Sequence, residues 1–160
     1  MGRTQSHERA LLALGCFWGP EFKFRKIQGV ISVTVGYCGG HVPNPTYEMV
    51  CSGQTGHAES VEVVFDPNII AYVQLLDIFF TMHDPTTRNR QGPDIGSQYR
   101  SIIFYDNDFQ WEIAEQTKQK YETMKMFKNA IVTEIRAATT FYPAEEYHQR
   151  YLEKQGKFHC

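Results

Sequence analysis

The stretch LALGCFWGPE sets one cysteine between a hydrophobic run and two aromatic residues, a placement suited to nucleophilic chemistry. Cys16 follows the apolar RALLALG and precedes GPEFKFRKIQG, a short helix with Pro20 in its first turn and Gly29 beyond its end. The peptide N–H groups and dipole at a helix start favour a thiolate, the form of cysteine that attacks. Phe17 and Trp18, adjacent at a strand-to-helix corner, cannot both point into the same core, so at least one is expected to line a surface recess. An aromatic recess beside a thiolate suits a soft apolar group such as a methyl on sulfur. The bland alternative is an inert cysteine with both rings in the core.

A proton donor is available on the strand HAESVEVVFD, where alternation puts Glu59 on the face of Val61, Val63 and Phe65 and turns Glu62 to the other. A poorly solvated carboxyl holds its proton to higher pH, as a general acid at neutral pH requires. If Glu59 instead sits at a frayed strand start, it is simply solvated. Tyr47 falls in one long loop and Tyr99 at the end of another, where phenols can donate hydrogen bonds to a developing oxyanion. Asp94, in GPDIGSQY, can relay a proton or cap its turn, and capping is the plainer reading. Cys160, at the end of KQGKFHC, is a terminal thiol able to reach an oxidised first thiol and form a disulfide with it. Cys38 and Cys51 compete for that role.

These residues must be brought together by the elements between them. RALLALG, VISVTVGY, HAESVEVVFD, YRSIIFYD and AIVTEIRAA read as strands. IIAYVQLLDIFFTMHD, NDFQWEIAEQTKQKYETMKMF and PAEEYHQRYLEK read as helices, the last a single one. Residues 38–56 and HDPTTRNRQGPDIGSQ read as long irregular loops, which in a compact domain are usually functional. Strand, helix, strand, then strand, helix, strand is the split βαβ pattern. It predicts an α+β fold: a ferredoxin-like α/β sandwich with a mostly antiparallel sheet, long loops at one end, and a C-terminal helix and tail.

The 160 residues suit a single domain, 1–160, with no repeat or linker to divide it. A net charge of −2 gives no general attraction to nucleic acid or anionic membrane. No apolar stretch is long enough to span a bilayer, and the N-terminal segment carries charges where a signal peptide has its apolar core, so a cytoplasmic protein is expected. The cysteines are dispersed, without CxxC, HxxxH or HExxH spacing, so they are expected as thiols and not as a zinc site. A monomer is expected.

Five blocks in order, GCFWG, GYCGG, PNPTYEMVCSGQTGHAE, HDPTTRNRQGPDIGSQYRS and FYPAEEYHQRYL, resemble the peptide methionine sulfoxide reductase A family over residues 12–160. The resemblance implies that Cys16 attacks the sulfoxide sulfur and Phe17 and Trp18 hold the S-methyl group. Glu59 would protonate the oxygen, Tyr47 and Tyr99 would bind it, and Asp94 would assist through water. Cys16 would be left as a sulfenic acid, resolved by Cys160 as a disulfide that thioredoxin reduces. The chain stops at Cys160, without the glycine-rich extension and further cysteine of some members, so the relay is expected to end there. The substrate implied is the S epimer of methionine sulfoxide, free or in proteins, with no metal or organic cofactor.

Two other readings share parts of this chemistry. A cysteine peroxidase would need an arginine beside the nucleophile, and Arg25, the nearest in sequence, is on the helix. A redox-sensing or methionine-binding module would oxidise Cys16 without turnover.

Overall fold

In the computed structural model, which describes residues 7–156, six elements precede the second long loop. They are β1 (Glu8–Leu14), α1 (Trp18–Arg25), β2 (Val30–Cys38), α2 (Tyr47–Cys51) and β3 (Ala58–Phe65), followed by α3 (Tyr72–Met82). Two short strands, β4 (Arg90–Gln91) and β5 (Asp94–Ile95), and a 3-10 turn at Ser97–Tyr99 lead to β6 (Ser101–Tyr105). Then come α4 (Asp108–Met124), β7 (Glu134–Ala137), β8 (Tyr142–Pro143), a 3-10 turn at Glu146–His148 and α5 (Tyr151–Lys154). Among the described residues no helix is long and apolar enough to cross a membrane.

Ala10 to Leu14 form an unbroken apolar run because β1 is central and covered on both faces. Leu11 and Ala13 pack with Ala58, Ile102 and Phe104 on one face. Leu12 and Leu14 face Phe24 of α1 together with Leu75, Leu76, Phe79 and Phe80 of α3. Each buried leucine contributes about 2 kcal/mol to the fold. The six-stranded sheet runs β7-β6-β1-β3-β2-β8. Its central four strands, β6-β1-β3-β2, are all antiparallel, in keeping with the mostly antiparallel ferredoxin-like sheet predicted from the element pattern.

Several boundaries depart from the sequence reading. PAEEYHQRYLEK is not one helix: it divides into the end of β8, the 3-10 turn and α5, with Arg150 left-handed at φ 58°. Long-range hydrogen bonds override its helical periodicity. The Arg150 N–H donates to the Glu21 carboxylate at 2.7 Å, and the Gln149 side-chain amide bonds both the N–H and the C=O of Val35, at 3.0 and 2.9 Å. AIVTEIRAA pairs with β6 over Glu134–Ala137 alone, in parallel, because Val132 donates to the carbonyl of Pro85 before the ladder begins. The long helix stops at Met124, where Lys125 turns left-handed at φ 53°. The first loop is not wholly irregular, since Thr46 caps α2 by accepting from the Met49 N–H at 3.2 Å. The second holds the β4–β5 hairpin, with Asp94 opposite Gln91.

Candidate active site

The corner after β1 is built so that Cys16 stands at the sheet's end. Gly15 is at φ +97°, and a Cβ there would come within 2.7 Å of the Gln91 side chain, so this position needs glycine. Cys16 is half-buried, Phe17 is the N-cap of α1 and Trp18 its first residue. The helix therefore begins with Pro20 in its first turn, as expected. First-turn N–H groups have no partner within the helix, and that of Phe17 donates to Oε1 of Glu59 at 3.2 Å.

Glu59 is 1% exposed, on the β3 face that also carries Val61, Val63 and Phe65, whereas Glu62 turns away to pair with Arg9 at 3.2 Å. The alternation argument holds, and the solvated-end alternative does not. Across the strand pair Glu59 is in register with Tyr37 of β2.

The two loop tyrosines converge on this carboxyl. Burial raises the Tyr99 phenol to about 12, and the charges of Glu59, Cys51, Asp94 and Cys16 push in the same direction, so all four lie within electrostatic reach of its hydroxyl. Tyr47 is raised further, first by burial, then by the neighbouring Cys51 thiol and by the charges of Glu59 and Tyr99. Both phenols keep their protons at physiological pH and can donate. Asp94 and Cys16 line one cavity of about 260 Å³, together with Leu14, Pro20, Met82 and His83.

Phe17 and Trp18 differ in burial, although both pack against the main core. Phe17 is 1% exposed and packs its ring against Tyr37 and His148, at centroid distances of 5.9 and 5.3 Å. Trp18 is part-exposed, stacked face to face on Tyr151 with centroids 3.7 Å apart. Its indole N–H donates to Nδ1 of His148 at 3.1 Å.

Three contributors escaped the sequence reading. Glu145 accepts from the Tyr37 hydroxyl and from the Tyr47 N–H, each at 2.9 Å, and so ties β2 to the start of α2. Burial raises its carboxyl, but those hydrogen bonds outweigh it and hold the group below the usual carboxylate range. His148 touches Phe17, Trp18 and Tyr47. Tyr37 is fully buried and packs its ring against Phe17. The only sequence signal for the first two is an acid and an imidazole three apart in EEYHQ.

Cys16, Phe17, Trp18, Tyr47, Glu59, Asp94 and Tyr99 are thus gathered at one end of the sheet. Cys160 lies outside the described residues. Cys38 is buried and Cys51 exposed, both as thiols. Arg25 pairs with the buried Glu21 one turn earlier on α1, which removes the arginine a peroxidase reading required.

A family model described as peptide methionine sulfoxide reductase matches residues 8–160. Peptide methionine sulfoxide reductase MsrA of Methanothermobacter thermautotrophicus is 56% identical over 154 residues, which cover 96% of this chain and 91% of that one. The crystal structure of Mxr1 from Saccharomyces cerevisiae in reduced form superposes with a TM-score of 0.91 at 37% identity, covering 99% of this chain and 91% of its own. A crystal structure of Mxr1 in complex with Trx2 gives a TM-score of 0.66 at 28% identity, covering 93% and 87%.

Proposed function

The chain belongs to the peptide methionine sulfoxide reductase family and is a thiol-dependent oxidoreductase acting on methionine sulfoxide; we propose that Cys16 is its nucleophile and Glu59 its general acid. The observation that carries this assignment is the hydrogen bond from the N–H of Phe17 to Glu59, which fixes a buried carboxyl one residue from the thiol.

The Cys16 thiolate attacks the sulfoxide sulfur while Glu59 passes its proton to the oxygen. Tyr47 and Tyr99 donate hydrogen bonds to that oxygen as charge develops on it. The oxygen moves to the cysteine, so the sulfoxide is reduced by two electrons to methionine and Cys16 is oxidised to a sulfenic acid. Asp94 helps to move protons through water in the cavity it shares with Cys16. Trp18 forms the part-exposed wall of the methyl recess and Phe17 its buried floor, which suits a methyl on sulfur better than a charged group.

Cys160 then attacks the sulfenic sulfur, water leaves, and the Cys16–Cys160 disulfide is reduced by thioredoxin. The relative seen with Trx2 supports that last step for this chain. The S epimer is the substrate, free or within proteins, and a reducing cytoplasm is the setting that suits a monomeric enzyme cycling through thiols. The test is methionine release from a methyl sulfoxide peptide with dithiothreitol as reductant. Wild type turns over repeatedly, and Cys16→Ser releases none; turnover by that variant refutes the assignment.

A further inference from the structure

The Trp18 indole is held in two different ways. Stacking on Tyr151, with ring planes 11° apart, fixes the height and tilt of the indole but leaves it able to rotate in its own plane. The hydrogen bond from Nε1 to His148 Nδ1 at 3.1 Å is directional and removes that freedom.

An indole N–H only donates, so Nδ1 of His148 must be a bare acceptor. The ring is therefore neutral, with its proton on Nε2. Burial, only partly offset by Glu145, lowers the imidazole's affinity for a second proton. Nε2 itself is buried without a hydrogen-bond partner among the described residues, in a residue 1% exposed. An unpaired buried N–H disfavours the fold, so packing alone would be better served by an apolar side chain. The polar function that remains is the one at Nδ1.

The imidazole is itself anchored. Glu145, three residues before it, bridges Tyr37 and Tyr47, and Gln149, one residue after it, is bonded to the backbone of β2. Its ring lies 4.2 Å from that of Tyr47 and 5.3 Å from that of Phe17, centroid to centroid. One side chain thus contacts three of the residues assigned above to the substrate.

We propose that His148 is a positioning residue for substrate binding: as the neutral Nε2–H tautomer it accepts the Trp18 indole N–H and fixes the wall of the methyl recess. The proposal rests on the reading of Trp18 as that wall.

The test uses a Trp111→Phe background, which leaves Trp18 as the sole indole. In that chain the indole N–H resonance, and KM and single-turnover rate for a methyl sulfoxide peptide, are measured for His148→Leu and His148→Asn. His148→Leu is expected to move the resonance upfield and raise KM about tenfold, with the saturated single-turnover rate changed less than about threefold. Asn places an acceptor oxygen near the Nδ1 position and is expected to restore both. An unmoved resonance and KM in His148→Leu, or no rescue by His148→Asn, overturns the proposal. If His148→Leu does not fold, the nitrogen-15 spectrum of the His148 ring in the parent decides, since a proton on Nδ1 is incompatible with it. A parent chain unable to reduce methionine sulfoxide counts against the reading of Cys16, while the resonances still decide the role of His148.

Discussion

The N–H of Phe17 donates to the carboxyl of Glu59 at 3.2 Å, across 42 residues of sequence. That contact joins the strand-to-helix corner bearing Cys16 to the start of the central strand β3. It means the thiol and its proton donor cannot drift apart without unmaking the first turn of α1.

Replacing Glu59 by Gln keeps an acceptor for the Phe17 N–H but removes the transferable proton. Single-turnover methionine formation is expected to slow by about a hundredfold to ten-thousandfold, with little change in substrate affinity. A variant within about threefold of wild type would remove Glu59 from the acid role.

Tyr99, raised to about 12, stays protonated through the physiological range. Tyr99→Phe is expected to lower the single-turnover rate about ten- to a hundredfold, by the same factor from about pH 6 to about pH 9. A ratio that changes across that range would mean the phenol ionises there.

His83 donates from Nδ1 to the Phe79 carbonyl and accepts from the Ser101 hydroxyl at Nε2, at 2.7 and 2.8 Å, and burial pushes it down to about 4. Its folded value lies below the 6.5 of the unfolded chain, so the unfolded state binds more protons between those two values. Stability is expected to be fully present above 6.5, to fall as pH drops through this window, and to level off below about 4. The loss is about 2 kcal/mol, discounted for partial exposure of the ring. Urea unfolding of wild type against His83→Gln isolates it, because the variant lacks this part of the slope.

Cys160→Ser is expected to leave a single turnover intact and to stop cycling driven by thioredoxin. Unimpaired thioredoxin-linked turnover would transfer the resolving role to another thiol. Cys51, exposed and close enough to Tyr47 to perturb its phenol, would then precede the buried Cys38.

Much of this arrangement was legible beforehand because it depends on local pattern. The continuous apolar RALLALG marked a strand covered on both faces, and period-two alternation put Glu59 on the core side. The two loops rich in Gly and Pro were recognisable as site-bearing, although the cap at Thr46 and the Asp94 hairpin within them were not. What stayed hidden depends on distant partners. PAEEYHQRYLEK has the spacing of an amphipathic helix, but Glu145, Gln149 and Arg150 each bond to groups about a hundred or more residues away. Those bonds outweigh helix propensity, which amounts to well under 1 kcal/mol per residue. His148 owes its place beside Trp18 to them.

The central claim is that the sulfoxide oxygen passes to Cys16. It is tested most directly in a chain in which Cys38, Cys51 and Cys160 are serine, given one equivalent of a methionine-S-sulfoxide peptide without reductant. The account predicts one methionine released per chain and, by mass spectrometry after trapping with dimedone, a sulfenic acid adduct on Cys16. Methionine released with Cys16 unmodified, or Cys16 oxidised with no methionine formed, would contradict it.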